Sequence, residues 1–469
     1  MHTMKLKYLI LFLWLLTGIT VAQNVTVKGT APGAAGKIIK LSSSSDFLTN
    51  REVILAEHTV DPNGNFILNA SIDRTTLVSL SIDFHNAGFF AEPGKTYEIA
   101  IQPYKYDDVK ELNPFIQSQN LQIRLLNLYK DDMNSLIPEF DGIYNNFLVD
   151  NFNALYRDHR KDLLDTLRNH VREKIGSPAS PFVKNYIEYK LANVVQLTNT
   201  MNQAQAGMYY FTSKPVLYDN VEYMDFFTSY FSKYITATSR LLKKNDYHVL
   251  LSGKDPYAAL MKSLSADTIL KPENLRELVL LKGLWEIFNS SKEDRDKVLL
   301  VLSLIEHKSG DPNNRLIAGN IIKTLTSLQP GYPAPGFHLR DRNKKRFALD
   351  SLKGTIVVLN FWTTNCETCL ADMDKLPEAT RQFGEKVRFI SISTDYSFLN
   401  MSYFISQKKD WNWTFLHVGD QVDVLKAYDV RILPLYVVID REGNIYSYNT
   451  EGPGQGLENI LEQLIQQSK

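Results

Sequence analysis

Phe361-Trp362-Thr363-Thr364-Asn365-Cys366-Glu367-Thr368-Cys369 is the stretch on which the reading of the fold turns. It holds the only two cysteines in a chain of 469 residues. The apolar run Ile356-Val357-Val358-Leu359-Asn360 before it reads as a buried strand, and a helix is expected to start at the cysteines. A Cys-x-x-Cys pair in that position is the unit of thiol–disulfide exchange. One thiolate attacks a disulfide and the second thiol resolves the mixed intermediate. Cys366 is expected at a helix N-terminus, where unpaired backbone N–H groups favour the thiolate. That holds its pKa below the free value near ~8.5. Cys369, one turn inward, is expected to be more buried and to act as the resolving thiol. A disulfide across so short a loop constrains little chain, so the pair reads as reactive rather than as a staple. Zinc usually takes four ligands, and no second cysteine pair exists to complete such a site. No metal site is expected.

Working outward, an α/β pattern follows the motif. Val387–Ser393, Leu435–Asp440 and Ile445–Tyr448 read as further strands. Short helices are expected from Tyr403 to about Lys408, from Val422 to Tyr428, and from Leu457 to Gln467. Upstream, Gln329-Pro330-Gly331-Tyr332-Pro333-Ala334-Pro335-Gly336 cannot continue a helix and reads as a linker. Before it, apolar residues recur at helical spacing in sets such as Leu121/Ile123/Leu125/Leu128, Leu163/Leu164/Leu167 and Leu275/Leu278/Leu281/Leu284. The aromatic-rich run Phe226–Tyr234 reads as helix-packing core ahead of a binding groove. Residues 23 to about 105 carry short β-type runs separated by Pro32-Gly33, Pro62-Asn63-Gly64-Asn65 and Pro93-Gly94 turns. The expected architecture is therefore multidomain: a β-rich, sandwich-like domain (23–110), an α-helical middle domain (111–329) and a C-terminal α/β domain (330–469).

Lys5 and Lys7, the apolar run Tyr8–Leu16 and Thr20-Val21-Ala22 fit a cleaved signal peptide over 1–22. The run is short for a membrane span of about 20 residues. Lys plus Arg and Asp plus Glu balance at 52 each, so no basic excess points to nucleic acid.

Taken in order, Pro333-Ala334-Pro335 with Phe337, Leu352-Lys353-Gly354, Phe361-Trp362, Cys366-Glu367-Thr368-Cys369, and Tyr428–Pro434 with Gly443 resemble the TlpA/ResA-like exported thioredoxins. The likeness spans roughly residues 331–469. The β-rich and helical regions ahead of it resemble, more loosely, the larger TlpA-like proteins of Bacteroides-group bacteria. The resemblance implies a C-terminal thioredoxin-like fold and a periplasmic thiol–disulfide oxidoreductase, soluble or membrane-associated. It implies no bound cofactor, a disulfide-bearing protein substrate and a membrane-bound thiol electron donor. By the same resemblance Pro434 is a cis-proline facing the cysteines, and Leu433 offers backbone groups to an extended substrate. Asp372, one turn beyond Cys369, stands where relatives place an acid that takes a proton from the buried thiol; a solvated helix charge is the alternative. Trp362 and Glu367 are further candidate substrate-binding residues, the first expected beneath the active loop. The charge of Glu367 opposes thiolate formation and favours a milder oxidant or a reductant, with a solvent-facing residue of little effect as the alternative. Asn365, Thr368 and Asp374 depart from the family pattern, which bears on docking and redox potential. Two rival functions remain at this level: an oxidase or isomerase on the same fold, and a binding or assembly protein whose N-terminal regions carry the main role.

Overall fold

The computed structural model describes residues 23–83, 85–103, 119–238, 246–395, 397–419, 421 and 423–467. The signal-peptide expectation for residues 1–22 lies outside them. The chain divides into two compact units. Among the described residues one takes 23–82, 86–103 and 121–318, and the other has 319–467 as its main body.

In the first unit, β1 (Gln23–Thr30), β4 (Asn65–Ile72) and β7 (Thr96–Ile101) lie in one sheet, ordered β4–β1–β7. Strands β2 (Ile38–Ser44), β3 (Glu52–Thr59), β5 (Thr76–Ile82) and β6 (His85–Ala91) lie in another, ordered β3–β2–β5–β6. Alternation sets the buried face, as Phe66, Leu68, Ala70 and Ile72 show along β4. A side chain at Gly29 would run into the backbone of Ile99, so only glycine lets β1 and β7 approach.

The set Leu121/Ile123/Leu125/Leu128 is not helical. Ile123–Leu125 forms β8, antiparallel to β7 with Ile99 opposite Leu125. Sheet pairing overrides a spacing that both periods can satisfy. Among the described residues the first helix is Met133–Asp150, capped by Asp132. Asn134 fixes this helix to β6, donating to the Phe90 carbonyl and accepting from its N–H at 2.8 and 2.7 Å. The aromatic run packs as core: Phe226, Phe227 and Phe231 are buried, and Phe226 stacks on Phe211 with centroids 5.4 Å apart.

The second unit is a seven-stranded mixed sheet. Its strands are β9 (His338–Asp341), β10 (Arg346–Ala348), β11 (Ile356–Trp362), β12 (Val387–Ser393), β13 (Thr414–His417), β14 (Leu435–Ile439) and β15 (Ile445–Thr450). The order is β10–β9–β13–β12–β11–β14–β15, with β11 parallel to β12 and antiparallel to β14. Every residue of the central β11 is buried, as a strand with elements on both faces requires. Two apolar cores flank the sheet, one through Phe361 and Tyr428, the other through Trp362, Cys369 and Trp411.

Gln329–Gly336 is more than a linker. Gly331 N–H donates to the Ile445 carbonyl, Ile445 N–H to Tyr332, and Ala334 N–H to Gly443. Tyr428 also donates to the Pro335 carbonyl at 2.7 Å. The prolines cap a sheet edge that their missing N–H groups suit.

Candidate active site

The parallel pairing of β11 and β12 brings their C-terminal ends together, and the antiparallel β14 begins at that same end, with Leu435 opposite Phe361. Three loops therefore meet: Thr363–Cys366 after β11, Thr394–Asp395 after β12, and Leu433–Pro434 before β14. Such an edge is where parallel α/β sheets place their sites.

Cys366 caps the helix Glu367–Met373 with extended backbone, and its Sγ accepts the Cys369 N–H at 3.1 Å. The Thr368 hydroxyl lies 3.3 Å from the same sulfur. Cys366 is half-buried while Cys369 is fully buried, and the two are joined as a disulfide. In the reduced state these N–H and hydroxyl donors would face a Cys366 thiolate, the form they stabilise. One sulfur is thus reachable and the other is not.

Glu367 and Thr368 are exposed. The Leu433–Pro434 bond is cis, both residues are half-buried, and Leu433 packs on the apolar core that also supports Cys366. Trp362 requires a correction. It is fully buried, with the rings of Trp411, Phe404 and Phe415 at 5.8, 6.2 and 6.2 Å, in the core that holds Cys369 and Met373. A partner protein cannot touch it. It forms the floor beneath the cysteine helix and is no part of a docking face.

Asp374 ends that helix, and the chain breaks before Leu376–Phe383, which carries Pro377 in its first turn. Its Oδ1 accepts from Lys408 Nζ at 2.9 Å and Trp411 Nε1 at 3.2 Å, which ties the break to the neighbouring loop.

Asp372 is buried and lies one turn beyond Cys369. Burial raises its carboxyl above the ordinary 3.8, against the opposing pull of Lys375 and Gln455. The folded state thus disfavours the ionised form. Below pH 3.8 the group is protonated both folded and unfolded, so the cost is absent; it is complete above the raised value. Asp372→Asn keeps an acceptor and removes the charge. It is expected to melt higher than wild type at pH 7, with the gap closing as pH falls through the raised value and gone below 3.8. Thermal melts of the oxidised protein across pH check this; a gap independent of pH would refute it.

Asp395 carried no sequence signal. Its buried carboxylate accepts from Thr363 Oγ1 at 2.8 Å, from Thr364 N and Oγ1 at 3.1 and 2.6 Å, and from Ser393 Oγ at 2.6 Å. His417 lies in the same knot, its Nε2 donating to the Asp395 carbonyl at 2.7 Å. The knot fixes the two residues that lead into Asn365 and Cys366. Gln455 and Gly452, also unflagged by the sequence, border Asp372. Among the described residues no three His, Cys, Asp or Glu side chains gather into a metal-sized group.

Comparison with known proteins agrees with this geometry. Residues 330–448 match the AhpC/TSA family model. The thiol-disulfide oxidoreductase ResA of Bacillus subtilis is 35% identical over 121 residues, which is 25% of this chain and 66% of that protein, just under two thirds of its length. ResA of Bacillus cereus is 30% identical over 120 residues, 25% of this chain and 68% of that one. The solution structure of a thiol:disulfide interchange protein from a Bacteroides species is 25% identical, covers 30% of this chain and 92% of that chain, and has a TM-score of 0.28. With a paired Cys-x-x-Cys on a thioredoxin-like sheet, and with the ResA proteins 35% and 30% identical over 121 and 120 residues, the chain belongs through its C-terminal domain to the ResA/TlpA-like thiol–disulfide oxidoreductases.

Proposed function

We propose that the protein is exported and reduces disulfides of other proteins in the periplasm. The observation that carries this reading is the asymmetry of the pair: Cys366 half-buried at a helix start, Cys369 sealed behind it. In the reduced enzyme the Cys366 thiolate attacks one sulfur of a substrate disulfide. A mixed disulfide forms and one substrate thiolate leaves. Cys369 then loses its proton to Asp372 and attacks the Cys366 sulfur. The second substrate thiolate leaves, and the Cys366–Cys369 disulfide remains. Two electrons have passed to the substrate, and a membrane-bound thiol donor returns them. The cycle calls for no bound cofactor.

Leu433 and Pro434 would line the approach of an extended substrate segment, whose backbone would pair with Leu433. Glu367, exposed in the first turn, opposes a very stable thiolate and so favours a reductant. Export is supported by the charge and apolar pattern of residues 1–22. No helix among the described residues is long and apolar enough to cross a membrane. Two sheets, each carrying alternating buried residues, support a sandwich arrangement of the β-rich region.

Trapping tests the reading. Cys369→Ser should accumulate mixed disulfides with envelope proteins that disappear on reduction. Wild type and the double variant lacking both cysteines should show few or none. Equal adducts in all three would reject the scheme. A measured potential near about −120 mV would reverse the direction to oxidation.

A further inference from the structure

The loop between β15 and the C-terminal helix Leu457–Gln467 reads Glu451-Gly452-Pro453-Gly454-Gln455-Gly456. It closes over Asp372. Gln455 Nε2 donates to Asp372 Oδ1 at 2.9 Å. Asp372 Oδ2 occupies space that any side chain at position 452 would fill, since a Cβ there would lie 2.5 Å from that oxygen and 3.2 Å from the Tyr436 ring. Gly452 is itself buried, so the room it leaves is not open solvent. The loop is held in turn by Glu458, whose carboxylate accepts the Gly454 N–H at 2.9 and 3.1 Å.

We propose that Gln455 is a positioning residue: it holds the Asp372 carboxylate in the slot above Gly452 and, by donating to it, keeps it ionised to take the Cys369 proton. This rests on the proton-accepting role given to Asp372 above.

The groups around the carboxylate set the sign of the effect. Lys375, on the helix junction, lies 3.7 Å from Oδ1 and, though half exposed, opposes burial more than Gln455 does; Gln455 is itself an exposed residue. Tyr436, on β14, is buried, and its hydroxyl makes no hydrogen bond among the described residues. Glu451 and Glu458, on the loop and the following helix, face Gly456 and Gly454 rather than the carboxylate. Among the described residues Gln455 is thus the one neutral side chain that bonds the carboxylate directly, and it favours the charged form as Lys375 does. Its loss leaves burial less opposed, and the Asp372 carboxyl titrates higher.

The readout is the pH dependence of the resolving step, followed as release of a fluorescent thiol from a mixed disulfide preformed on Cys366. Gln455→Leu removes the donor at similar volume. Its acidic limb is expected to move to higher pH. Release on that limb then slows about tenfold for each pH unit the limb moves, while the alkaline plateau stays unchanged. Gln455→Glu has nearly the same shape but adds charge beside the carboxylate, so it should move the limb further. Gly452→Ala displaces Oδ2 by a separate route and should move the limb in the same direction. Asp372→Asn serves as the reference and should erase the limb. Profiles for both Gln455 variants that superimpose on wild type, while Asp372→Asn erases the limb, would overturn the role of Gln455 alone. A limb that persists in Asp372→Asn would remove the proton acceptor itself.

Discussion

Cys366→Ser is expected to reduce insulin-disulfide reduction by the purified protein to the rate without enzyme. The reason is chemical. The attacking species is a thiolate, and a serine hydroxyl is neither ionised at neutral pH nor able to form the mixed disulfide. The surroundings survive the change, because a serine Oγ is itself a favoured helix cap for the N–H now aimed at Sγ. Losing the disulfide costs little by chain entropy, about 2 kcal/mol for so short a loop. The proper comparison is therefore reduced wild type, which should melt within that margin of the variant. Full turnover by Cys366→Ser would show that some other group does the chemistry. Cys369→Ser should differ in kind: one attack survives and stalls at the mixed disulfide.

How far the sequence exposes this site depends on how local each signal is. The cysteines and the buried run of β11 are contiguous patterns, so strand and helix start can be read from neighbours alone, whereas the cis state of Pro434 follows only from the family resemblance. Strands β9, β10 and β13 are only three or four residues long, too short for an alternation to stand out, and they are defined by their partners in the sheet. The helix expected from Tyr403 starts at Phe398, where Ser397 caps it by accepting from Leu399 and Asn400. That cap is a local signal, legible in the sequence as a serine ahead of an apolar run. Ile123–Leu125 misleads because a few apolar positions in the short run 121–128 fit a helical and an extended spacing alike. The linker reading of Gln329–Gly336 follows from proline and glycine content, which says how the backbone is restricted but not what edge it will pair with. Trp362 stands beside the site in sequence, yet strand alternation sends its side chain to the core opposite that of Phe361. Gln455 and Asp395 lie 83 and 31 residues from the groups they serve, and no sequence period links them.

Asp395→Ala is expected to destabilise the C-terminal domain by about 3–5 kcal/mol, a loss of the size reserved for broken buried networks. Four donors converge on this carboxylate: the hydroxyl of Thr363, the N–H and hydroxyl of Thr364, and the hydroxyl of Ser393. Hydrogen bonds to a charged group are each worth about 1.5–3 kcal/mol, and water can recover part of the loss because Thr363 and Thr364 are half-buried. The Ser393 hydroxyl lies in a fully buried residue and gains no such help. Asp395→Asn keeps one acceptor oxygen and should cost less, since only the Ser393 side must turn round to accept. The same knot sets the reactivity of the site, for the Thr363 carbonyl also accepts the Cys366 N–H at 3.2 Å and so fixes the entry to the helix. With that anchor gone, the loop can swing Cys366 away from the Cys369 N–H, and alkylation of the reduced protein by iodoacetamide at neutral pH should slow as the thiolate loses its donors. Denaturant melts report the first effect and alkylation rates the second. Unaltered values for Asp395→Ala in both would mean that the four bonds do not hold the loop, and the cysteine helix would have to owe its place to the Trp362 floor alone.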